Sequence, residues 1–331
     1  MKMRKFISII IATYNRQENL KRSLDSLLIQ ECDGSFTFEV IVVDNNSTDG
    51  TKATVETYHH KFDGTSRVHL KYLFEPTKGK CYALNTGIKE AKGAIVAFTD
   101  DDVVIDSQWL LQIVQCFENY TCDGVGGRIL PLYPEETPQW IKANKHLLSG
   151  PIVFYDQGES IKKYEKPMVE FLGANFAFKR EVFDQCGLFR TDLGPGTLRM
   201  GDDTEFINCL LKKNKILYYC GKALVWHPVE VERLNLRYIA KWNMALGRYR
   251  FLIDENGTTD SQLVHYFGIP RYLLRETVGR ALALARHVFN QREFLQSWIL
   301  LARTIGRMQE IRWAYLNKKT CHLEGRVIRR N

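Results

Sequence analysis

Segments typical of β-strands alternate with amphipathic, helix-like segments along the first 105 residues. The strand-like segments are rich in Ile, Val and Phe, and the segments between them carry apolar residues at helical spacing. In chain order the seven segments are residues 6–12, 18–30, 38–43, 51–60, 68–74, 81–91 and 95–99. This β-α-β-α-β-α-β order predicts an α/β fold, in which a mostly parallel sheet is covered by helices on both faces. Ligands of such sheets bind at the carboxyl ends of the strands.

The pattern is less regular after residue 105. The expected elements are a helix, two strands, a helix and closing strands, at residues 108–118, 124–130, 169–180, 203–213 and 215–228. Residues 131–167 contain five prolines and predict a long irregular connection, which is more often a binding loop than filler. Beyond residue 236 the pattern is helical. We therefore expect a first domain at residues 1–235 and a basic helical C-terminal region at residues 236–331.

Composition indicates a globular protein. Of the 331 residues, 45% are hydrophobic and 25% are charged. The eight cysteines include no C-x-x-C pair, which argues against a disulfide framework or a zinc ribbon, so we expect reduced thiols and a cytoplasmic location. The apolar run near the N-terminus is too short for a signal peptide. No run approaches the ~18 apolar residues that a membrane span requires.

Positive charge is concentrated at the C-terminal end of the chain. From Val264 onward there are 13 Lys and Arg against four Glu and no Asp, whereas residues 1–263 carry 33 basic and 34 acidic residues. Two apolar stripes at helical spacing occur in the same region, one over residues 274–289 and the other over residues 294–308, with Arg303 and Arg307 opposite the second. Two interpretations stay open: helices that pack on the first domain and expose a basic face, or attachment to an anionic membrane surface.

Three consecutive carboxylates follow the strand at residues 95–99, in the sequence "FTDDDV". Asp100, Asp101 and Asp102 repel one another, so the arrangement costs stability unless a cation compensates it. Alternation along an extended chain places Asp100 and Asp102 on one side and Asp101 on the other. Mg²⁺ and Mn²⁺ take oxygen ligands from carboxylates and substrate phosphates. The triplet therefore predicts a clamp for a metal and a diphosphate, although a solvated turn would also fit.

Other polar motifs have structural explanations as well. In "VVDNNSTDGT" a capped turn accounts for residues 47–49 but not for Asp44, a carboxylate that could accept the N3 proton of a uracil. In "GDDTEF" helix capping accounts for Asp202 and Glu205. A lone histidine such as His227 in "VWHP" is more often structural unless a metal site lies nearby.

Taken together, "IIIATYNR", "VVDNNSTDGT", "GKCYALNTGI", "FTDDDV", "GANFAFKR" and "GDDTEF" resemble the family 2 glycosyltransferases of the GT-A fold. The resemblance covers about residues 5–230, and the ordered combination of motifs is highly specific. It implies a nucleotide-binding half at residues 1–105 and an acceptor-binding half at residues 106–235.

The resemblance also implies roles for individual residues. The metal ligands would be Asp102, with Asp100 and His227. Contacts with the nucleotide sugar would come from Thr13, Tyr14, Asn15, Asp44, Asn46, Lys80, Asn85, Asp100 and Asp101. Gly173, Ala174 and Asn175 would lie near the sugar or the acceptor. The catalytic base maps to Asp203, and Asp202 occupies the position where the family usually has Glu, so either acid could act.

The implied reaction is transfer of a sugar from a nucleotide-sugar donor, with uracil favoured as the base, to a glycan or lipid-linked acceptor, with inversion and with Mn²⁺ or Mg²⁺ as cofactor. One in-line displacement needs one base for the acceptor hydroxyl and one Lewis acid for the departing diphosphate. We expect residues 192–201 to close over the donor, because three glycines give this loop backbone freedom. The implied setting is surface polysaccharide assembly, in the cytoplasm or at the inner membrane face.

Three other functions compete with the glycosyltransferase interpretation. A nucleotidyltransferase should carry a glycine-rich basic loop after its first strand, and "TYNRQENL" has none. A catalytically silent sugar-nucleotide-binding scaffold is disfavoured only because the acids are retained. Nucleic-acid binding through the basic C-terminal region is supported by charge alone, so we expect no nucleic-acid partner.

Overall fold

The structure is a computed structural model, and it describes most of the 331 residues. The described residues are 5–63, 68–165, 171–197, 199–253, 264–316, 322–323 and 326–327. They divide into two compact units. The sheet unit comprises Met1–Pro134, Val153–Thr197 and Asp202–Val229, and the helical unit comprises Glu135–Ile152, Leu198–Gly201 and Glu230–Asn331.

The first seven elements of the sheet unit confirm the predicted alternation and differ from the predicted segments only at their ends. They are β1 (Lys5–Thr13), α1 (Gln17–Leu28), β2 (Phe36–Asp44), α2 (Thr51–Asp63), β3 (Val68–Phe74), α3 (Lys80–Glu90) and β4 (Ile95–Thr99). Strand β1 pairs in parallel with β2 and β4, and β2 pairs in parallel with β3. The central strands are continuous apolar runs because helices cover both of their faces.

The remaining elements of this unit extend the same sheet. They are β5 (Val104–Ile105), α4 (Trp109–Asn119), β6 (Gly124–Leu132), β7 (Ile161–Lys163), β8 (Asn175–Lys179), α6 (Glu181–Cys186), α7 (Asp202–Lys212) and β9 (Leu217–Pro228), while α5 (Gln139–Ala143) lies in the helical unit. The strand order is β3-β2-β1-β4-β8-β6-β9-β5, and β7 pairs with β9. Strand β8 is antiparallel to both of its neighbours, so the sheet is mostly but not wholly parallel.

Two predictions about this part of the chain were wrong. The connection at residues 131–167 is not wholly irregular, because β6 continues to Leu132 and the segment contains α5 and β7. These elements are too short to produce a recognisable period. The predicted closing strands are one strand, β9, in which Gly221 marks a close approach rather than a turn. A Cβ at Gly221 would lie 2.0 Å from the carbonyl oxygen of Gly158.

An aromatic cluster supports the carboxyl end of the sheet. Phe98 of β4 packs on Phe176 of β8, with ring centroids 5.3 Å apart. Phe189 packs on Phe206 of α7 at 4.5 Å. Phe98 and Phe189 are also in contact, at 5.6 Å. The cluster therefore joins the strand that precedes the acidic triplet to the helix that begins with the acids of "GDDTEF".

The helical unit is built around three long helices that follow the sheet unit in the chain. They are α8 (Leu236–Ile253), α9 (Arg271–Arg286) and α10 (Gln291–Leu316), and a short hairpin of β10 (His265–Tyr266) and β11 (Ile269–Pro270) precedes α9. Two glycines allow α8 and α10 to cross closely, because a Cβ at Gly247 would lie 2.1 Å from the Arg303 carbonyl oxygen and a Cβ at Gly306 would lie 2.0 Å from that of Met244.

One of the two arginines expected opposite the second apolar stripe, Arg303, does not lie on an open basic face. Arg303 donates from Nε to the Asn243 side chain at 2.8 Å, in the contact between α10 and α8. Burial, together with the charge of Arg250, lowers the pKa of Arg303 to about 10. Within the part of the chain that the structure describes, no helix is both long enough and apolar enough to cross a membrane.

Candidate active site

Polar side chains lie at the carboxyl ends of neighbouring strands in the sheet unit. Thr13 ends β1 and is paired in register with Asp44, which ends β2. The acidic triplet begins one residue after β4, and β4 pairs with β1. His227 lies near the end of β9. The sheet therefore brings four strand ends with polar side chains to one edge, as expected from the alternation of strands and helices.

Asp100, Asp102 and His227 form a cluster that fits a metal ion. One ligand atom from each of the three lies within 4.8 Å of the other two. His227 Nε2 is 3.3 Å from Asp102 Oδ1 and 4.0 Å from Asp100 Oδ2. His227 Nδ1 lies 2.9 Å from the Pro228 carbonyl oxygen, which suits an Nδ1–H donor, and Nε2 faces the carboxylates.

The buried oxygen of Asp102 adds a second reason for a cation. Asp102 Oδ1 accepts no hydrogen bond from the residues that the structure describes, although buried polar atoms are nearly always paired. A carboxylate oxygen and an imidazole nitrogen that face each other at 3.3 Å are two ligand types that suit a divalent ion. The residues present therefore fit Mn²⁺ or Mg²⁺.

Two side-chain cations lie against the same carboxylates. Arg16 Nη1 is 2.6 Å from Asp102 Oδ2 and 3.6 Å from Asp101 Oδ1. Lys80, the first residue of α3, donates to Asp100 Oδ1 at 2.5 Å. The sequence analysis named Lys80 but missed Arg16. The available signal for Arg16 was its place in "TYNR", directly after the first strand.

The environments of the three acids differ. Burial and the neighbouring charge of Asp102 raise the pKa of Asp101 to about 7. Burial also opposes ionisation of Asp100, but the charges of Lys80 and His227 outweigh it and lower the pKa of Asp100. The charges of Asp100, Asp202 and Asp203 raise the pKa of Lys80 despite its burial, so this ammonium stays charged. Asp100 and Asp102 lie together with His227. The separation expected from an extended chain is not observed, because Asp101 and Asp102 form a turn after β4 and Arg16 lies closer to Asp102 than to Asp101.

Asp202 and Asp203 begin α7 and have different surroundings. Asp203 is half-buried, and its Oδ2 accepts the backbone N–H of Gly173 at 2.7 Å. Asp202 is buried, and its Oδ2 lies 3.9 Å from the thiol of Cys81. Burial and the adjacent charge of Asp203 raise the pKa of Asp202 to about 7. Asp203 is thus the more accessible of the two acids.

Lys80 connects the metal cluster to the two acids of α7. It bonds Asp100 directly, and the charges of both Asp202 and Asp203 act on it. A Cβ at Gly173 would lie 3.3 Å from Asp203 Oδ2 and 3.8 Å from Lys80 Nζ. A side chain at position 173 would therefore crowd the space between the lysine and the acid.

The glycine-rich loop before α7 packs on the start of α3. The N–H of Lys80 donates to the Pro195 carbonyl oxygen at 3.1 Å. Gly194 and Gly196 have φ angles of 87° and 95°, which favour glycine. A Cβ at Gly194 would lie 2.7 Å from Cγ of Asp202, so this loop also determines the space around that acid.

The residues expected to hold the base and ribose have several internal contacts. Asp44 accepts the hydroxyl of Tyr72 at 2.8 Å and the N–H of Ser47 at 2.9 Å. Asn15 Oδ1 accepts the N–H of Thr48 at 2.7 Å. Asn15 and Asn46 both have positive φ angles, 52° and 68°, which asparagine tolerates better than most residues. Tyr14 is exposed beside this group.

Asn45 is a supporting residue that the sequence analysis missed. Its amide nitrogen donates to the Thr77 carbonyl oxygen at 2.6 Å, and its Oδ1 accepts the N–H of Gly79 at 2.8 Å. The side chain therefore holds the segment that leads into α3 and Lys80. Because Asn45 lies between Asp44 and Asn46, no sequence pattern distinguishes its role from theirs.

Two of the expected site residues use their amides to support the fold. Asn85 bonds both the N–H and the carbonyl oxygen of Phe189, at 3.0 and 2.8 Å. Asn175 accepts from Trp109 Nε1 at 2.8 Å and donates to the carbonyl oxygens of Arg128 and Ala223 at 2.9 and 2.8 Å. These amides have little capacity left for a ligand. Ala174, the neighbour of Asn175, is also buried.

Comparison with known proteins identifies the family. The model of glycosyl transferase family 2 matches residues 8–187, more than half of the chain, and the chain belongs to this family. It is 38% identical to the glycosyltransferase AglE of Haloferax volcanii over 130 residues, and these residues make up 39% of this chain and 41% of that protein. It is 24% identical over 245 residues to the succinoglycan biosynthesis protein ExoM of Rhizobium meliloti, 73% of each.

The chain spans less than half the length of the first relatives it matches, 41% of AglE and 44% of the uncharacterized glycosyltransferase YfnE of Bacillus subtilis. Among solved structures it is similar to the mannosyltransferase PcManGT of Pyrobaculum calidifontis in complex with GDP-Man and Mn²⁺, with a TM-score of 0.58 and 18% identity over 92% of this chain and 88% of that one. It is also similar to residues 1–349 of S. aureus TarS in complex with UDP, with a TM-score of 0.53 and 17% identity over 97% of this chain and 95% of that one. The fold is the GT-A fold.

Proposed function

We propose that this glycosyltransferase transfers a sugar from a nucleotide-sugar donor, with a UDP-sugar favoured, to a hydroxyl of a glycan or lipid-linked acceptor, with inversion at the anomeric carbon. The observation that carries the proposal is the joint placement of a cation-binding cluster and a separate accessible acid, Asp203, on either side of Lys80. A single displacement needs these two functions and no protein nucleophile.

The donor would lie along the carboxyl ends of β1, β2 and β4, in the half of the sheet unit up to residue 105. Thr13, Tyr14, Asn15, Asp44 and Asn46 would surround the nucleoside. The neighbours PcManGT and TarS bind GDP-Man and UDP respectively, which supports a nucleotide-sugar donor without choosing its base. Asp44 favours uracil because a carboxylate accepts the N3 proton of that base.

The metal would be held by Asp100, Asp102 and His227. When bound, Mn²⁺ or Mg²⁺ supplies positive charge that stabilises the departing diphosphate. Lys80 lies against Asp100 and adds a fixed positive charge on the side that faces Asp203. Arg16 would have to leave Asp102 Oδ2, at least in part, for that oxygen to bind a metal.

Asp203 would act as the general base. Its carboxylate takes the proton of the acceptor hydroxyl while the acceptor oxygen forms a bond to the anomeric carbon. The bond from that carbon to the phosphate oxygen breaks, and the nucleoside diphosphate leaves with the electron pair. The N–H of Gly173 fixes one oxygen of Asp203, which leaves the other available for the acceptor. Asp202 is buried, so it is less able to reach an acceptor.

Two further features complete the proposal. Residues 192–201 would order over the bound donor and exclude water, which favours transfer over hydrolysis. The acceptor would bind in the half of the sheet unit that follows residue 105. The biological setting would be the assembly of a surface polysaccharide in the cytoplasm. Support comes from ExoM, whose name assigns it to succinoglycan biosynthesis, and from the free thiols of the described cysteines.

The test is a donor screen of the full chain with Mn²⁺ or Mg²⁺ that follows release of the nucleoside diphosphate. We expect release from one class of nucleotide sugar, including slow hydrolysis without an acceptor, and loss of that release with Asp203→Asn. The exposed Asp184 of α6 provides the matched control, Asp184→Asn, which should behave as the unchanged protein. Tight donor binding without any release would instead indicate a silent sugar-nucleotide-binding scaffold.

A further inference from the structure

The apolar stripe of α9 is exposed rather than packed. Val278 and Leu282 of α9 are 59% and 67% exposed, and Phe289, in the turn that follows α9, is 100% exposed. Ala281 and Ala285 are exposed on the same stretch of the chain. Soluble proteins usually pack such a stripe against a neighbouring element, and exposed clusters of large apolar side chains mark interaction surfaces. We call these five residues the α9 outer face.

The opposite side of α9 already has its partner, α10. Leu273 is buried, Thr277 lies 2.9 Å from the sulfur of Met308, and Arg280 donates to the Leu300 carbonyl oxygen at 2.5 Å. His287 continues this side with a contact to Ser297 at 3.0 Å. The packing that holds α9 in the helical unit is therefore made without the α9 outer face.

Exposed arginines border the α9 outer face. Arg271, Arg275 and Arg286 lie on α9, and Arg292 follows at the start of α10. The acid of α9, Glu276, is paired with Arg280. The face thus combines apolar side chains with positive charge along α9 and the turn that follows it, which is the pattern of helices that lie in a membrane interface.

The hairpin before α9 presents aromatic side chains. Phe267, at the tip, is 90% exposed, and Tyr266 beside it is 48% exposed. Phe267 and Gly268 have φ angles of 50° and 81°, which a two-residue hairpin turn requires. Asn or Gly normally occupies the first of these positions, because a positive φ angle strains a bulky residue such as Phe. Within the described residues, Phe267 is too exposed for packing to compensate for this strain. Aromatic side chains suit the boundary between water and hydrocarbon.

We propose that the α9 outer face and the hairpin tip bind the surface of an anionic lipid bilayer. The bordering arginines complement anionic headgroups, whereas the same face on a second copy of the chain would bring like charges together. The described helices are not suited to cross the bilayer, so the contact is with its surface. This interaction is independent of the chemistry at the metal cluster, and it would bring the enzyme to the membrane.

The test is co-sedimentation of the full chain with vesicles of phosphatidylcholine alone and with vesicles that also contain phosphatidylglycerol, at low and high salt. We expect binding to the anionic vesicles, weakened but not abolished by salt, because the contact is both electrostatic and apolar. Leu282→Glu with Phe289→Ser should reduce partitioning at least about tenfold. Ile29→Glu is the matched control, because Ile29 is 66% exposed on the sheet unit, and it should bind as the unchanged protein does.

A second pair of variants tests the charge. Arg275→Gln with Arg286→Gln should lower partitioning about fivefold per arginine at low salt. Arg22→Gln with Arg180→Gln removes two exposed arginines of the sheet unit and should have little effect. All of these positions are exposed, so unchanged thermal midpoints should verify that the variants are folded.

Three outcomes would overturn the proposal. The first is equal recovery on neutral and anionic vesicles. The second is equal binding by the Leu282→Glu, Phe289→Ser variant and the unchanged protein. The third is a concentration-dependent dimer in sedimentation velocity that this variant abolishes, because a second copy of the chain would then cover the α9 outer face.

Discussion

Replacing Asp202 by Asn should change how the stability of the ligand-free protein depends on pH. Asp202 is buried at the start of α7, and burial together with the charge of Asp203 raises its pKa from 3.8 to about 7. The folded protein therefore keeps this proton up to about pH 7, whereas the unfolded chain releases it near its ordinary pKa. Between these values the folded state binds more protons, so the free energy of unfolding falls as pH rises.

The size of the effect follows from the shift. One pKa unit corresponds to about 1.4 kcal/mol, so the shift of Asp202 should cost about 4 kcal/mol of stability between about pH 4 and about pH 8. Asp202→Asn removes this titration and keeps the shape of the side chain. Asp101 has a raised pKa with the same sign, but it is present in both proteins and cancels in the comparison.

The assay is urea unfolding across this pH range in the presence of a chelator, for the unchanged protein, Asp202→Asn and the control Asp184→Asn. We expect the unchanged protein and the control to lose about 4 kcal/mol more than Asp202→Asn as pH rises. Parallel curves for all three proteins would refute the reasoning, because they would mean that Asp202 ionises in the folded state as easily as in the unfolded chain.

Three other substitutions test the residues of the candidate site. Asp102→Ala should lose Mn²⁺ binding and donor binding together in calorimetry, and full turnover in excess chelator would contradict the metal assignment. Asp203→Asn should reduce turnover by about 10²- to 10⁴-fold with donor affinity nearly unchanged; the same phenotype in Asp202→Asn would reverse the two roles. Arg16→Gln should tighten Mn²⁺ binding measured without a donor, because the guanidinium no longer offsets the negative charge of Asp102; weaker or unchanged binding would show that Arg16 does not oppose the metal.

The fold could be predicted because its main features follow from local sequence patterns. Each of the first four strands is a short apolar run, and each helix between them has a recognisable period. The parallel arrangement follows from their alternation, and it brings Asp44 and the acidic triplet to the same edge. The metal cluster was also predictable in part, because the acidic triplet follows β4 directly at this edge of the sheet, although residues 101 and 102 form a turn rather than an extended chain.

Contacts between distant residues were less predictable. Arg16 meets Asp102 across 86 residues, and no local pattern distinguishes this arginine from other basic residues near the N-terminus. Asn85 and Asn175 occupy motif positions, but an amide can bind a ligand or satisfy buried backbone groups equally well, and sequence does not separate these uses. The stripe of α9 was correctly recognised as apolar, yet periodicity alone does not say whether such a face is buried or exposed.

The central claim is that one displacement, assisted by Asp203, breaks the bond between the sugar and the diphosphate. Proton NMR of the sugar released from an α-linked nucleotide sugar tests it most directly, because water can replace an unidentified acceptor. At the earliest times, before the free sugar equilibrates, we expect the β anomer. Initial appearance of the α anomer would contradict the account, because it would require two displacements or attack from the same face.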